Sequence, residues 1–167
     1  PEPIENILER ITDPSVFGVS TYVWNANYSD RLASAVKQRY PNCLVIYGGP
    51  QVPDNAVDMM TEKTWIDICV HQEGEIVFSE ILKEHLLARD WSHISGITYR
   101  QENRKAAPIK TMAKQRIRDL DSVISPYLDG VFDGYTERYS KWTINAIFES
   151  SRGCPYKCTF CDWGSAT

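Results

Sequence analysis

Apolar and polar positions along the first ninety or so residues keep switching between two periods. Ile4, Ile7, Leu8 and Ile11 recur at helical spacing and Asp13-Pro14 closes the run, so the chain opens on an amphipathic helix. Residues 16–20 form a short apolar run around Gly18 and predict a strand. Ser29 then stands as the predicted cap of a helix reaching Tyr40, with Leu32, Ala35, Val36 and Arg39 on one face and Pro41 at its end. The alternation repeats with a strand at 43–47, a turn at Gly48-Gly49-Pro50, a short helix at 55–60 and a strand at 66–70. Gly74 opens a third long helix, in which Phe78, Ile81, Leu82 and Leu86 make the predicted buried stripe while Glu80, Lys83, Glu84 and Arg89 face water. Strands of about five residues alternating with helices imply right-handed βαβ units, hence a parallel sheet covered on both faces.

From residue 94 the pattern changes. Residues 94–100 and 107–112 flank a polar tip at 101–105, as an antiparallel hairpin attached to the sheet edge would. Residues 114–141 show no sustained period, carry Pro126, Gly130 and Gly134, and read as a surface connector. Residues 143–148 read as a new buried strand, and 149–153 carry the chain off its end into a cysteine-bearing loop. The expected division is therefore an α/β domain over 1–90, a hairpin and connector over 91–141, and the start of a second domain over 142–167. The opening helix reads as a crossover from an earlier strand. With Pro1 in place of a starting methionine and Thr167 close behind the cysteines, part of a longer polypeptide is expected.

Composition narrows the function classes. A chain of 167 residues with 43% hydrophobic content can bury a globular core. A formal charge of -4 gives no basic field for a phosphate backbone, so nucleic acid is not indicated as a partner. No apolar run has the length of a membrane span and the opening residues lack the basic and apolar regions of a signal peptide, so a soluble, cytoplasmic protein with no membrane partner is expected. The five cysteines are an odd number and Cys154, Cys158 and Cys161 crowd together, which argues for metal or redox chemistry over a disulfide scaffold. Cys43 and Cys69 sit inside apolar runs and read as ordinary buried thiols.

The three clustered cysteines are spaced C-x3-C-x2-C, which lets their thiolates converge on three corners of a 4Fe-4S cluster and leaves the fourth iron without a nearby protein ligand. An open metal position can bind a substrate. Gly153 permits a tight approach before the first cysteine, Pro155 fixes the backbone after it, and Phe160 could shield the cluster from water. A structural zinc site is the alternative. It needs a fourth Cys or His, and none lies between residues 143 and 167. The run Arg152-Gly153-Cys154-Pro155-Tyr156-Lys157-Cys158-Thr159-Phe160-Cys161 resembles the signature of the radical S-adenosylmethionine (SAM) superfamily, with an aromatic residue before the last cysteine. The resemblance implies that residues 143–148 are the first strand of a partial TIM-like β/α barrel with the cluster on the loop at its C-terminal end. It also implies that SAM binds the open iron through its amino and carboxylate groups, with Phe160 against the adenine, and that the reduced cluster cleaves it to a 5'-deoxyadenosyl radical.

Residues 4–87 resemble the cobalamin-binding domain that precedes the barrel in the B12-dependent branch of that superfamily, a flavodoxin-like (Rossmann-type) α/β fold. The likeness rests on Gly18-Val19-Ser20-Thr21-Tyr22, Tyr47-Gly48-Gly49-Pro50 and Glu73-Gly74-Glu75, each following a predicted strand. Such strand ends gather ligands in flavodoxin-like sheets. Cobalamin contacts are thus expected from Ser20, Thr21, Tyr22, Gly48, Gly49, Pro50, Glu73, Gly74 and Glu75, although each glycine also suits a plain strand-to-helix turn. The histidine that many cobalamin proteins offer to cobalt comes from an Asp-x-His-x-x-Gly motif. Here His71-Gln72-Glu73-Gly74 is a near match, but Cys69 stands where the aspartate would be and the motif follows the wrong strand, so His71 reads as a packing or solvated residue. Trp24, Tyr28, Tyr127 and Tyr135 either line a substrate channel or pack the connector, packing being the favoured reading, and residues 116–121 read as a solvated charged run. The resemblance implies an enzyme, a cobalamin-dependent radical SAM methyltransferase acting on an unactivated centre of a small-molecule or peptide substrate, with an electron donor to reduce the cluster. Two alternatives stay open: a radical SAM enzyme whose first domain binds no cobalamin, and a nonenzymatic binding module or truncated product with a structural metal.

Overall fold

The alternating runs form one sheet of five strands in the order β1-β2-β3-β4-β5: β1 (Val16–Ser20), β2 (Leu44–Gly48), β3 (Ile68–Val70), β4 (Ile97–Tyr99) and β5 (Ile109–Lys110). The computed structural model describes residues 2–101, 103–146, 152–154, 156 and 158–161. These divide into two compact units, Pro1–Leu120 and Asp121–Thr167, and the sheet belongs to the first. β1, β2 and β3 pair in parallel, with Val16 opposite Leu44 and Ile46 opposite Ile68. β3 to β4 and β4 to β5 are antiparallel.

The parallel core follows from side-chain alternation. Successive residues of a strand point to opposite faces, so Leu44 and Ile46 join Ile68, Val70 and Ile97 on one face, while Val45 and Tyr47 join Cys69 on the other. Helix α4 (Glu75–His85) covers the first face with Val77 and Ile81, helped by Trp91 and Ile94. Helices α2 (Ala26–Arg39) and α3 (Val57–Glu62) cover the second with Ala33 and Met60. The opening helix α1 (Ile4–Arg10) completes the order α1-β1-α2-β2-α3-β3-α4. Both faces are covered, as the near-continuous apolar strands predict.

Four local expectations change. Helix α2 starts at Ala26, not at Ser29, which lies buried within it. The chain is turned into the helix by Asn25, whose Oδ1 accepts from the Tyr22 amide at 2.7 Å and whose Nδ2 donates to the Ser20 carbonyl at 3.0 Å. The buried stripe of α4 runs through Val77, Ile81 and His85 at i, i+4, i+8, leaving Phe78 partly exposed and Leu86 83% exposed. The hairpin forms but is integral to the sheet, because β4 is fully covered between β3 and β5, with Thr98 at 0% exposure. The charged run is partly docked: the Ile117 amide donates to Glu73 Oε2 at 2.7 Å, just after Lys114 Nζ pairs with Glu80 at 2.6 Å.

In the second unit, helix α5 (Asp133–Arg138) is short and wholly exposed. Residues 143–146 are exposed and outside any strand, and the rest of the expected strand, residues 147 and 148, lies outside the described residues. A strand buried on both faces needs partner strands, and the described residues of this unit supply none. Tyr127 and Tyr135, expected to pack, are 47% and 58% exposed and, among the described residues, their rings meet those of Phe132 and Tyr139.

Candidate cofactor site

All three parallel strands end at one edge of the sheet, and the loops that leave them set its shape. After β1, the Thr21 amide and hydroxyl both donate to the Gly48 carbonyl at 2.8 Å, and the Thr21 carbonyl accepts from the Gln51 amide at 3.2 Å. The loops after β1 and β2 are thereby sewn together. Gly49 sits at the seam with φ +94, and a Cβ there would stand 2.7 Å from the Thr21 carbonyl oxygen, so this position needs glycine. Gly48 is different. Nothing lies within 4 Å of where its Cβ would be, so that side of the strand end opens into space.

That space is a cavity of about 390 Å³ lined by Gly18, Ser20, Gly48, Gly49, Gly74 and Glu75, together with Ile46, Val70, Gln72 and Phe78. The volume lies within the range of ligand pockets. Its floor is flat because three glycines lie where side chains would rise, and the Phe78 ring edge comes to 3.9 Å from the Cβ position of Gly18. Of the nine expected contacts, Ser20, Gly48, Gly49, Gly74 and Glu75 line the cavity. Thr21 is buried in the seam, and Glu73 holds the Ile117 amide. Pro50 is exposed in the turn, and Tyr22 stacks on Trp24 at 4.6 Å and 14° between planes. Trp24 itself is 77% exposed, contrary to the packing role expected of it. Gln72 and Phe78 were not anticipated. The signal for Phe78 was its position three residues before Ile81, one step off the Val77-Ile81 stripe.

His71 is buried beside this edge. Its Nε2 lies 2.8 Å from Thr98 Oγ1, and its Nδ1 has no hydrogen-bond partner among the described residues. Burial and then Lys110 push it below the ordinary histidine range, while Asp54 and the nearby Pro53 carbonyl oppose this without closing a bond to Nδ1. Burial and then Arg89 lower His85 likewise. The unfolded chain therefore binds protons that the folded one refuses, so stability is full above the ordinary value near 6.5 and falls as pH drops below it. The melting temperature is expected to decline from about pH 6.5 downward, with a shallower decline in a His85→Gln variant; an unchanged slope would exclude His85 as a contributor. Burial pushes the Cys69 thiol up to about 12, so this cysteine stays protonated and inert.

A larger cavity of about 510 Å³ opens at the opposite edge. Its central charges, Lys37, Asp67, Arg100 and Arg104, already have partners. Asp67 accepts from Lys37 Nζ and Arg104 Nη1 at 2.7 Å and from the Val45 amide at 2.8 Å. Arg100 donates to the Ile66 carbonyl at 3.1 Å and to that of Met60. This network ties strands and loops together, and the glycine-lined edge is the better ligand site.

In the second unit, Cys154 is half-buried and Cys158 and Cys161 are exposed, all three as free thiols. The Cys161 amide donates to the Cys158 carbonyl at 3.1 Å, closing a turn between two of the expected ligands, and Gly153 has φ +88 immediately before the first. Residues 155 and 157, between them, lie outside the described residues. Among the described residues, no three Cys, His, Asp or Glu side chains are gathered for a metal. The donor set suits an iron-sulfur cluster in chemistry and accessibility, and ligation would complete the gathering, as metal sites that form on binding do. Phe160 is 91% exposed next to the third thiol.

Similarity to known proteins decides the kinship. The chain is 40% identical over 168 aligned residues to TokK, a cobalamin-dependent radical SAM methyltransferase of Streptomyces tokunonensis, covering 99% of this chain and 24% of that protein. The chain is a relative of the cobalamin-dependent radical SAM enzymes. A second relative, the 2-(S-pantetheinyl)-carbapenam-3-carboxylate methyltransferase of Streptantibioticus cattleyicolor, is 41% identical over 98% of this chain and 24% of its own length. The chain thus spans about a quarter of the curated relatives it matches. No protein-family model matches it. Among solved structures, the radical SAM methyltransferase TsrM of Kitasatospora setae, determined with tryptophan and a SAM analogue, superposes with a TM-score of 0.51 at 14% identity over 65% of this chain and 21% of that one. That likeness shows a shared α/β fold. No described helix is long and apolar enough to cross a membrane.

Proposed function

We propose that this chain carries the cobalamin-binding edge and the cluster loop of a cobalamin-dependent radical SAM methyltransferase. The observation that carries this reading is identity of 40% to a cobalamin-dependent radical SAM methyltransferase, with 41% to a carbapenam-carboxylate methyltransferase, along nearly the whole chain. The cavity supports it: Gly48 leaves open space where a Cβ would stand, as close approach of a flat macrocycle to the sheet edge requires.

When bound, the cluster and SAM supply radical cleavage and cobalamin carries the methyl group. The chain's own residues do the holding. Gly18, Gly48 and Gly74 keep the floor low, the seam between Thr21 and Gly48 fixes the two loops, and Phe78 shields one side from water. Cys154, Cys158 and Cys161 would ligate three irons, and Phe160 would cover the SAM adenine. Half-buried Tyr22, stacked on exposed Trp24, follows β1 at the same edge. Residues 142–167 would open the barrel, and the substrate would be a small molecule or peptide, with a separate electron donor reducing the cluster.

The test is anaerobic isolation of the protein from cells supplied with cobalamin, followed by incubation with SAM and a strong reductant. Near-stoichiometric cobalamin, about four irons per chain and release of 5'-deoxyadenosine are expected. Iron with SAM cleavage but no cobalamin would leave a radical SAM enzyme with a different first domain. Stoichiometric zinc in place of iron would leave a binding module.

A further inference from the structure

We propose that Gln72 is an amide clamp for the rim of the corrin ring, a role that rests on the cobalamin reading above. Gln72 has φ +57, in the left-handed region that side chains other than glycine, asparagine and aspartate seldom enter. Its neighbours impose this conformation. On one side, the His71 amide donates to the Gly96 carbonyl at 2.9 Å and the His71 ring meets Thr98 at 2.8 Å. On the other, Glu73 Oε2 accepts the Ile117 amide at 2.7 Å. His71 is thereby turned inward, and Gln72 is thrown outward at the end of β3.

Glycine would take this conformation without strain, so the fold alone gives no reason for glutamine. The Gln72 side chain makes no hydrogen bond with the described residues and is exposed, lining both the 390 Å³ cavity and the neighbouring 230 Å³ cavity around Asp54 and Lys110. Non-glycine residues held in left-handed backbone cluster where a side chain serves a ligand. The free carboxamide offers one acceptor and two donors in a plane, which matches another carboxamide. A corrin ring carries acetamide and propionamide arms around its rim. Set against the glycine floor, the ring would present that rim to the strand ends, within reach of Gln72. Glu75 and Ser20 line the same cavity but lack the paired donor and acceptor of an amide.

The experiment compares the protein with Gln72→Gly and Gln72→Asn variants, measuring Kd for hydroxocobalamin and for dicyanocobinamide, which keeps the rim amides and lacks the nucleotide tail, together with the melting temperature. Both variants should bind both corrinoids about 5- to 10-fold more weakly, the scale of one or two hydrogen bonds. The Gln72→Gly variant should melt at the same temperature or a few degrees higher, because backbone strain is relieved. Unchanged affinity in Gln72→Gly, affinity lost in step with stability in both variants, or an effect confined to hydroxocobalamin would each overturn the clamp. Failure of the unsubstituted protein to bind either corrinoid would overturn the cofactor reading, and the clamp with it.

Discussion

Replacing Cys154, Cys158 and Cys161 together by alanine is expected to abolish iron-sulfur cluster formation while leaving the sheet intact. All three belong to the unit Asp121–Thr167, and the two-faced core of Pro1–Leu120 is built from other residues, with Val45, Met60, Ile68 and Ile81 at 0% exposure. A thiolate ligand cannot be replaced by a methyl group, and half-buried Cys154 and exposed Cys158 and Cys161 have no disulfide or core role to lose. Anaerobic reconstitution should therefore give about four irons per chain in the parent and close to none in the variant, with the same far-ultraviolet circular dichroism. Full iron content in the triple variant would move the cluster, if there is one, to ligands elsewhere. Equal zinc in both proteins would remove the radical SAM reading of this loop.

The sheet was legible because its signal is redundant. Residues 43–47 are apolar at every position, which only a strand covered on both faces tolerates, and the hairpin at 94–112 announces itself by the polar tip between two apolar runs. Helix faces were less legible, because a one-residue shift exchanges Phe78 for Val77, and only packing against Ile97 and Trp91 decides between them. The same shift concealed Phe78 as part of the cavity wall. The glycines were visible as a set, but their separate jobs were not: Gly49 answers to the Thr21 backbone and Gly48 to the space beyond it. Gln72 gave no signal, since a left-handed glutamine is imposed by contacts at residues 96, 98 and 117, more than 20 positions along the chain. The expected strand at 143–148 rested on apolar composition alone. Residues 143–146 remain exposed where no described strand pairs with them.

That distinction between two adjacent glycines makes the second large prediction. A Gly48→Leu substitution is expected to weaken corrinoid binding at least about 100-fold, equivalent to about 2.7 kcal/mol, with little change in the melting temperature. Gly48 contributes its backbone to the fold: it pairs with Ser20 in the ladder, and its carbonyl accepts twice from Thr21 at 2.8 Å. None of these contacts involves its α-hydrogen, its φ lies outside the left-handed region, and a new Cβ would meet nothing within 4 Å. The added side chain would instead rise from the floor of the 390 Å³ cavity, against the face a macrocycle would occupy. Gly49→Ala supplies the contrast. Its methyl would stand 2.7 Å and 2.9 Å from Thr21 backbone atoms at φ +94, so the seam must yield and stability should fall by about 1–3 kcal/mol. Measured side by side, a Gly48→Leu protein that melts normally and binds no corrinoid would assign the open floor to the cofactor. One that still binds tightly would place any corrinoid away from this edge, whatever the sequence kinship implies.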